Sequence, residues 1–294
     1  MTSERTISLG PEGDSWVYDR ETRVYDLTRG GDGARYSFET ITPSESRKRG
    51  ETEEDKRESS IAISPSHTAL VVVDMQNFFL HPRCNDYPAG LAAAERVREV
   101  VARCRDLGIR VIWLNWGLTS QDLVTMPAAV QRSFSKNLLD LPPTPKSQEE
   151  GSQSRHGFGS DMGHGRGRLL MEGSWNAEIY SGLQSCISFS NDVLCSKNRI
   201  SGLWADDTPL ARALKGKKNK DGNKKKTLLF AGVNTDQCVL GTLFDAYNRG
   251  YDCVMLEDCC ATKTPGGKEV TVWNVARGYG FVTDSARFCH GELE

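Results

Sequence analysis

Between residues 66 and 289, short uninterrupted apolar runs alternate with stretches whose apolar residues recur at helical spacing. Ala69–Val73 is the first run, and it ends abruptly at Asp74. Such a run reads as a strand buried on both faces, as in a parallel sheet. Leu91, Ala94, Val97, Val101 and Cys104 then form one stripe over Leu91–Leu107, which predicts a helix closed by Gly108 after the chain breaks of Pro82 and Pro88. Arg110–Leu114 is the next strand. A strand, a helix and a strand in that order imply parallel pairing and a right-handed crossover. The alternation continues with a short helix over 176–184, a strand over 192–196 and a helix from Asp207 to Leu214 with Thr208 and Pro209 in its first turn. A strand over 227–231, a helix carrying Leu240, Leu243, Phe244 and Tyr247, and a strand Asp252–Leu256 follow. A helix from Lys268 to Gly278 and a strand Gly280–Thr283 close the series. The expected fold class is α/β: a three-layer α/β/α sandwich around a six-stranded parallel sheet.

Three strand ends carry reactive side chains. Open α/β sheets bind ligands outside the C-terminal ends of their strands. Asp74 follows the first run, Lys197 follows Asp192–Ser196, and Cys238 follows Leu228–Val233 across the turn Asn234-Thr235-Asp236-Gln237. Asn, Thr and Asp are turn and helix-cap residue types, so Cys238 is expected in the first turn of a helix. Unpaired N–H groups and the helix dipole there favour an anion, which predicts a thiol that is partly thiolate and a place for an oxyanion. Taken singly, each residue also fits a plainer reading: a capping Asp, a surface Lys, a buried inert Cys.

Composition narrows the setting. Hydrophobic residues make up 38% of the 294 residues, a low share explained by polar loops and a polar N-terminal segment. A net charge of −2 gives no field for nucleic acid or a membrane surface. Nine cysteines without C-x-x-C pairs, and no secretory apolar region after Met1-Thr2-Ser3-Glu4-Arg5, lead to the expectation of reduced thiols in a cytoplasmic chain. No apolar run approaches the ~18 residues of a membrane span. Residues 1–65 read as a partly ordered arm whose 14–40 stretch carries Trp16, Tyr18, Tyr25, Tyr36 and Phe38. A charged linker over 43–60 follows, and the main domain spans 66–294. An insertion at about 118–173, with Pro- and Gly-rich loops, leaves from the second strand and reads as a lid or subunit contact. Seven lysines in the twelve residues 215–226 read as a solvated loop rather than a nucleic-acid patch.

The segments Val73-Asp74-Met75-Gln76-Asn77, Lys197-Asn198-Arg199-Ile200-Ser201-Gly202 and Gly232-Val233-Asn234-Thr235-Asp236-Gln237-Cys238-Val239, in that order, resemble the isochorismatase-like cysteine hydrolases over about residues 66–289. Leu114-Asn115-Trp116-Gly117 and Glu172-Gly173-Ser174-Trp175-Asn176 are most similar to the ureidoacrylate amidohydrolase branch. The resemblance implies strand order 3-2-1-4-5-6 and a catalytic triad Asp74, Lys197, Cys238. It also implies an oxyanion hole from the N–H groups of Asn234 and Cys238, a cis peptide at Val233–Asn234, and a homodimer or homotetramer. Gln76, Phe78, Asn115, Trp116, Trp175 and Arg199 are the candidate substrate contacts. The expected function is cleavage of the C–N bond of a small amide or ureido compound through a thioester. The chain departs from nicotinamidases in having Asn115-Trp116-Gly117-Leu118 where they carry an Asp-x-His metal cluster, so neither metal nor cofactor is expected. Two other readings stand beside this one: hydrolysis of isochorismate, a vinyl ether that needs no thiol, and a non-catalytic binding protein using the N-terminal arm.

Overall fold

The computed structural model describes residues 5–31, 33–42, 59–135, 157–215 and 224–294. Among them the strands are β1 (Thr6–Leu9), β2 (Trp16–Asp19), β3 (Val24–Asp26), β4 (Tyr36–Glu39), β5 (Ser60–Ile63), β6 (Thr68–Val73), β7 (Arg110–Trp116), β8 (Val193–Lys197), β9 (Thr227–Val233), β10 (Asp252–Ala261), β11 (Phe281–Thr283) and β12 (Glu292–Leu293). The two apolar runs of the sequence, β6 and β9, are buried at every position and lie side by side at the centre of the main sheet. That sheet is ordered β8-β7-β6-β9-β10-β11, with every pairing parallel. Counted along the chain, this is the order 3-2-1-4-5-6.

The helices are α1 (Asn77–Leu80), α2 (Pro88–Asp106), α3 (Ser120–Thr125), α4 (Ala128–Ser133), α5 (Pro209–Lys215), α6 (Leu240–Asn248), α7 (Gly267–Asn274) and α8 (Ser285–Cys289). Helix α2 packs across β7, β9 and β10, α5 against β8, and α6 against β10, which gives the α/β/α layering. Ala94, Val97, Val101 and Cys104 form the buried face of α2, while Leu91 is only half-buried.

Several boundaries differ from the sequence reading. Pro88 opens α2 instead of breaking the chain before it, since a proline at the first helical position loses no hydrogen bond there. The stretch expected as one helix at 176–184 is two short 3₁₀ turns, Trp175–Ala177 and Ser181–Cys186. Helix α7 stops at Asn274 and continues as a wider turn, Val275–Tyr279. Strand β10 runs on through Glu257-Asp258-Cys259-Cys260 to Ala261, with its register to β9 shifting between Met255 and Cys260. The linker residues 43–58, the lid residues 136–156 and the lysine-rich 216–223 lie outside the described residues.

The N-terminal segment forms a second sheet, β1-β2-β3-β5-β4-β12, antiparallel except where β3 meets β5. Its aromatic residues find partners on the main domain. Trp16 and Tyr25 lie on Phe281, at 5.5 and 5.2 Å between ring centroids, and Tyr36 and Phe38 on Phe288, at 5.6 and 5.2 Å. The polar anchor is Asp252, the first residue of β10. It accepts from both terminal nitrogens of Arg29 at 2.7 and 2.8 Å, from the Trp16 indole at 2.8 Å and from the Thr227 hydroxyl at 3.0 Å. Removing one partner of a buried ion pair costs about 3–5 kcal/mol. Arg29 keeps a second carboxylate, Asp14, so Asp252→Asn is expected at the low end, ~3 kcal/mol. At about 2–4 °C per kcal/mol its melting temperature should fall by roughly 6–12 °C. A thermal melt within 1–2 °C of the parent would show that the sheet docks by its aromatic residues alone.

Candidate active site

Asp74, Lys197 and Cys238 meet in one buried place outside the C-terminal ends of β6, β8 and β9. Lys197 Nζ lies 3.0 Å from Asp74 Oδ2 and 3.4 Å from Cys238 Sγ, and it also donates to the Arg199 carbonyl at 3.1 Å. Lys197 is the last residue of β8 and Asp74 the first after β6, so strand register sets the distance between them. Asp74 sits at φ +52°, a left-handed conformation that non-glycine residues seldom adopt. Its backbone N–H donates to the Leu114 carbonyl at 2.8 Å, which holds the carboxylate beneath the end of β7.

Cys238 does not stand on an ordinary helical turn. It belongs to a π-type turn, Thr235–Val239, which leads into α6. Such widened turns gather at functional sites. The peptide before the turn, Val233–Asn234, is cis. Asn234 makes no side-chain cap to the turn; its amide oxygen accepts from the Tyr87 hydroxyl at 3.1 Å. Asp236 is drawn away to the Thr262 hydroxyl at 2.5 Å.

The electrostatics correct one expectation. The thiol is not partly thiolate at rest: burial pushes Cys238 up to about 12, against the opposing effect of the Lys197 ammonium and in step with that of Asp74. With 5% of its surface exposed, Cys238 loses more hydration as an anion than the turn returns. Asp74 is also raised, by complete burial, with Lys197 and a hydrogen bond from the Cys238 thiol pulling it back down.

Of the remaining candidates, Trp116 joins this cluster. Its ring centroid is 3.9 Å from Lys197 Nζ, and its backbone N–H donates to Asp74 Oδ1 at 3.1 Å. Gln76 is buried with both ends of its amide engaged. Its amide clamps the main chain, accepting from Trp116 N–H at 3.0 Å and donating to the carbonyls of Trp116 and Ala177 at 2.7 and 2.6 Å. Asn115, one residue before Trp116 on β7, lines a cavity of about 610 Å³ with Trp116, Gly117, Glu172, Ile187 and Leu194, so Trp116 is shared between this cavity and the cluster. Trp175 packs on His81 and under Arg83, and Arg199 stacks on Trp204. Phe78 borders a cavity of about 230 Å³ with Phe134, Met162, Arg166 and Leu169.

Three residues were not singled out in the sequence. Phe134 and Phe158, from the insertion, cover the Trp116 ring at 5.3 and 5.1 Å and each other at 4.2 Å. Tyr87 reaches Asn234 across the cleft. The insertion's low-complexity loops hide isolated aromatics, and nothing local marks Tyr87, whose partner is 147 positions away.

Comparison with known proteins shows the family. The family description "Isochorismatase domain" matches residues 68–287. The ureidoacrylate amidohydrolase RutB of Cronobacter turicensis is 26% identical over 240 residues, 79% of this chain and 91% of that protein. RutB of Methylorubrum extorquens is 28% identical over 239 residues, covering 79% of this chain and 85% of that protein. The crystal structure of a cysteine hydrolase from Pseudomonas syringae pv. phaseolicola 1448A superposes with a TM-score of 0.56 at 19% identity, over 77% of this chain and 92% of that one. With a domain match that spans the parallel sheet, Asp74, Lys197 and Cys238, the chain belongs to the isochorismatase family.

Proposed function

We propose that this hydrolase cleaves the C–N bond of a small amide or ureido compound through a thioester on Cys238. The observation that carries the reading is the buried Asp74–Lys197–Cys238 cluster, in which one ammonium lies 3.0 Å from the carboxylate and 3.4 Å from the sulfur. Asp74 takes the thiol proton as sulfur attacks the carbonyl carbon, so that no free thiolate has to persist in the buried site. The Lys197 ammonium offsets the negative charge shared by Asp74 and sulfur. Charge on the carbonyl oxygen falls to the backbone N–H groups of Asn234 and Cys238. Collapse of the adduct breaks the C–N bond, and Asp74 returns its proton to the departing nitrogen. Water, deprotonated by Asp74, then attacks the thioester, and the thiol regains its proton as the acid leaves. Similarity to ureidoacrylate amidohydrolases supports a ureido or linear amide acid as the substrate class.

The test is release of ammonia from ureidoacrylate, nicotinamide, N-carbamoylsarcosine and carbamoyl amino acids, with isochorismate followed by pyruvate. Ammonia from a ureido compound supports the reading. Pyruvate alone, still formed after Cys238→Ala, replaces it with vinyl ether hydrolysis by Asp74. The working form has Asp74 ionised and Cys238 protonated. Because burial raises Asp74, the acid limb of kcat/KM should lie above the usual carboxylate range. No alkaline limb from the thiol should appear until near pH 12. A limb centred at an ordinary carboxylate value would show that Asp74 is hydrated when it works.

A further inference from the structure

Trp116 is 1% exposed, and its indole Nε1–H has no hydrogen-bond partner among the described residues. A buried donor left without an acceptor carries a cost of about 1–3 kcal/mol, so its retention calls for a reason. The rest of the residue is fixed in place. Its N–H is held by Asp74 Oδ1 at 3.1 Å and Gln76 Oε1 at 3.0 Å, and its carbonyl by Gln76 Nε2 at 2.7 Å. Its ring lies 3.9 Å from Lys197 Nζ, itself 3.4 Å from Cys238 Sγ. Phe134 and Phe158 close over the ring. The indole is therefore held against Lys197, the residue that touches the sulfur, with one idle donor.

We propose that Trp116 is a positioning residue of the nucleophile: its indole N–H donates to the Cys238 sulfur once that sulfur carries negative charge, and its ring face holds the Lys197 ammonium beside it. A neutral thiol is a weak acceptor, whereas a thiolate takes a charge-assisted hydrogen bond, so the donor is idle at rest and engaged when the proton has left. The electrostatics have the same sign, since the indole N–H acts to lower Cys238. The titratable groups facing the sulfur are Lys197 from β8, which also lowers it, and Asp74 from β6, which raises it. The inference rests on Cys238 being the nucleophile of the proposed function, and it is independent of which amide is cleaved.

The experiment is the rate of alkylation of Cys238 by iodoacetamide from pH 6 to pH 10 in the full chain, read at the Cys238 peptide by mass spectrometry. It compares the parent, Trp116→Phe, and a variant carrying 3-benzothienylalanine at 116, which keeps the bicyclic shape and lacks the N–H. Loss of one hydrogen bond to a charged sulfur should displace the profile upward by about one pH unit, so that both variants react about tenfold more slowly at a given pH. Profiles that coincide with the parent's overturn the proposal. So does a slow Phe variant beside a benzothienylalanine variant that matches the parent, because ring shape would then be what matters. Alkylation needs no substrate, so a shifted profile with no ammonia from any amide leaves Trp116 in this role and removes only the substrate reading. Ammonia release with unshifted profiles does the reverse.

Discussion

Cys238→Ala should lower kcat for amide hydrolysis by about 10⁶, to the level set by binding and the oxyanion N–H groups alone. Among the described residues Cys238 is the thiol bonded to Lys197 and the thiol that acts on Asp74. Asp74→Asn should cost about 10²–10⁴, the usual share of a proton carrier. Combining the two should cost little more than Cys238→Ala alone, because residues that act as one unit lose their function together. Steady-state ammonia release from the best amide of the panel decides the matter. A Cys238→Ala protein retaining a tenth of parental turnover would remove the thioester and leave Asp74 to activate water directly.

Gly232→Ala is expected to be the most damaging single substitution in the fold. Gly232 sits in β9 at φ +128°, and a Cβ built there would lie 2.0 Å from the Val73 carbonyl oxygen and 2.7 Å from the Val73 nitrogen. Both atoms are backbone of β6, so no rotamer change relieves the collision. The strands that carry Asp74 and Cys238 would have to part at their C-terminal ends. A cost above about 4 kcal/mol, in the rare upper tail of single substitutions, should leave the protein insoluble or unfolded at growth temperature. Gly250→Ala is the control. Gly250 has φ +78° with nothing within 4 Å of the added Cβ, so only the left-handed conformation is penalised, by roughly 1–2 kcal/mol. Similar solubility and melting temperature for the two variants would mean that β6 and β9 part more easily than their spacing indicates.

The parallel sheet was legible because β6 and β9 are apolar after their opening threonines, and only a strand covered on both faces tolerates that. The reactive residues were legible for a related reason: a charged or thiol side chain immediately after such a run stands at a strand's C-terminal end. The second sheet was not legible. Its strands are two to four residues long, several of their apolar residues (Leu9, Val17, Leu293) are exposed, and they are held by partners as distant as Asp252 and Phe288. Aromatic content alone marked residues 14–40 for ordering. The resting state of Cys238 was misread because local pattern reports the turn and its dipole but not the depth of burial, and burial dominates. Gln76 illustrates a different limit. A polar residue beside a reactive one looks like a substrate contact, yet its amide is spent on the main chain of Trp116, a pairing 40 positions apart.

The second sheet also bears on the order of events as the chain is synthesised. Strands β1 to β5 are made before any residue of the main sheet, yet β4 pairs with β12, and the anchors Asp252, Phe281 and Phe288 belong to the last part of the chain. These strands leave the ribosome before the residues they dock on have been made. During translation its short strand edges and aromatic side chains wait beside a growing α/β core, the condition under which nascent chains recruit holding chaperones or pair with the wrong neighbour. The slow step of folding should then be closure of contacts across more than 200 residues, set by their sequence separation.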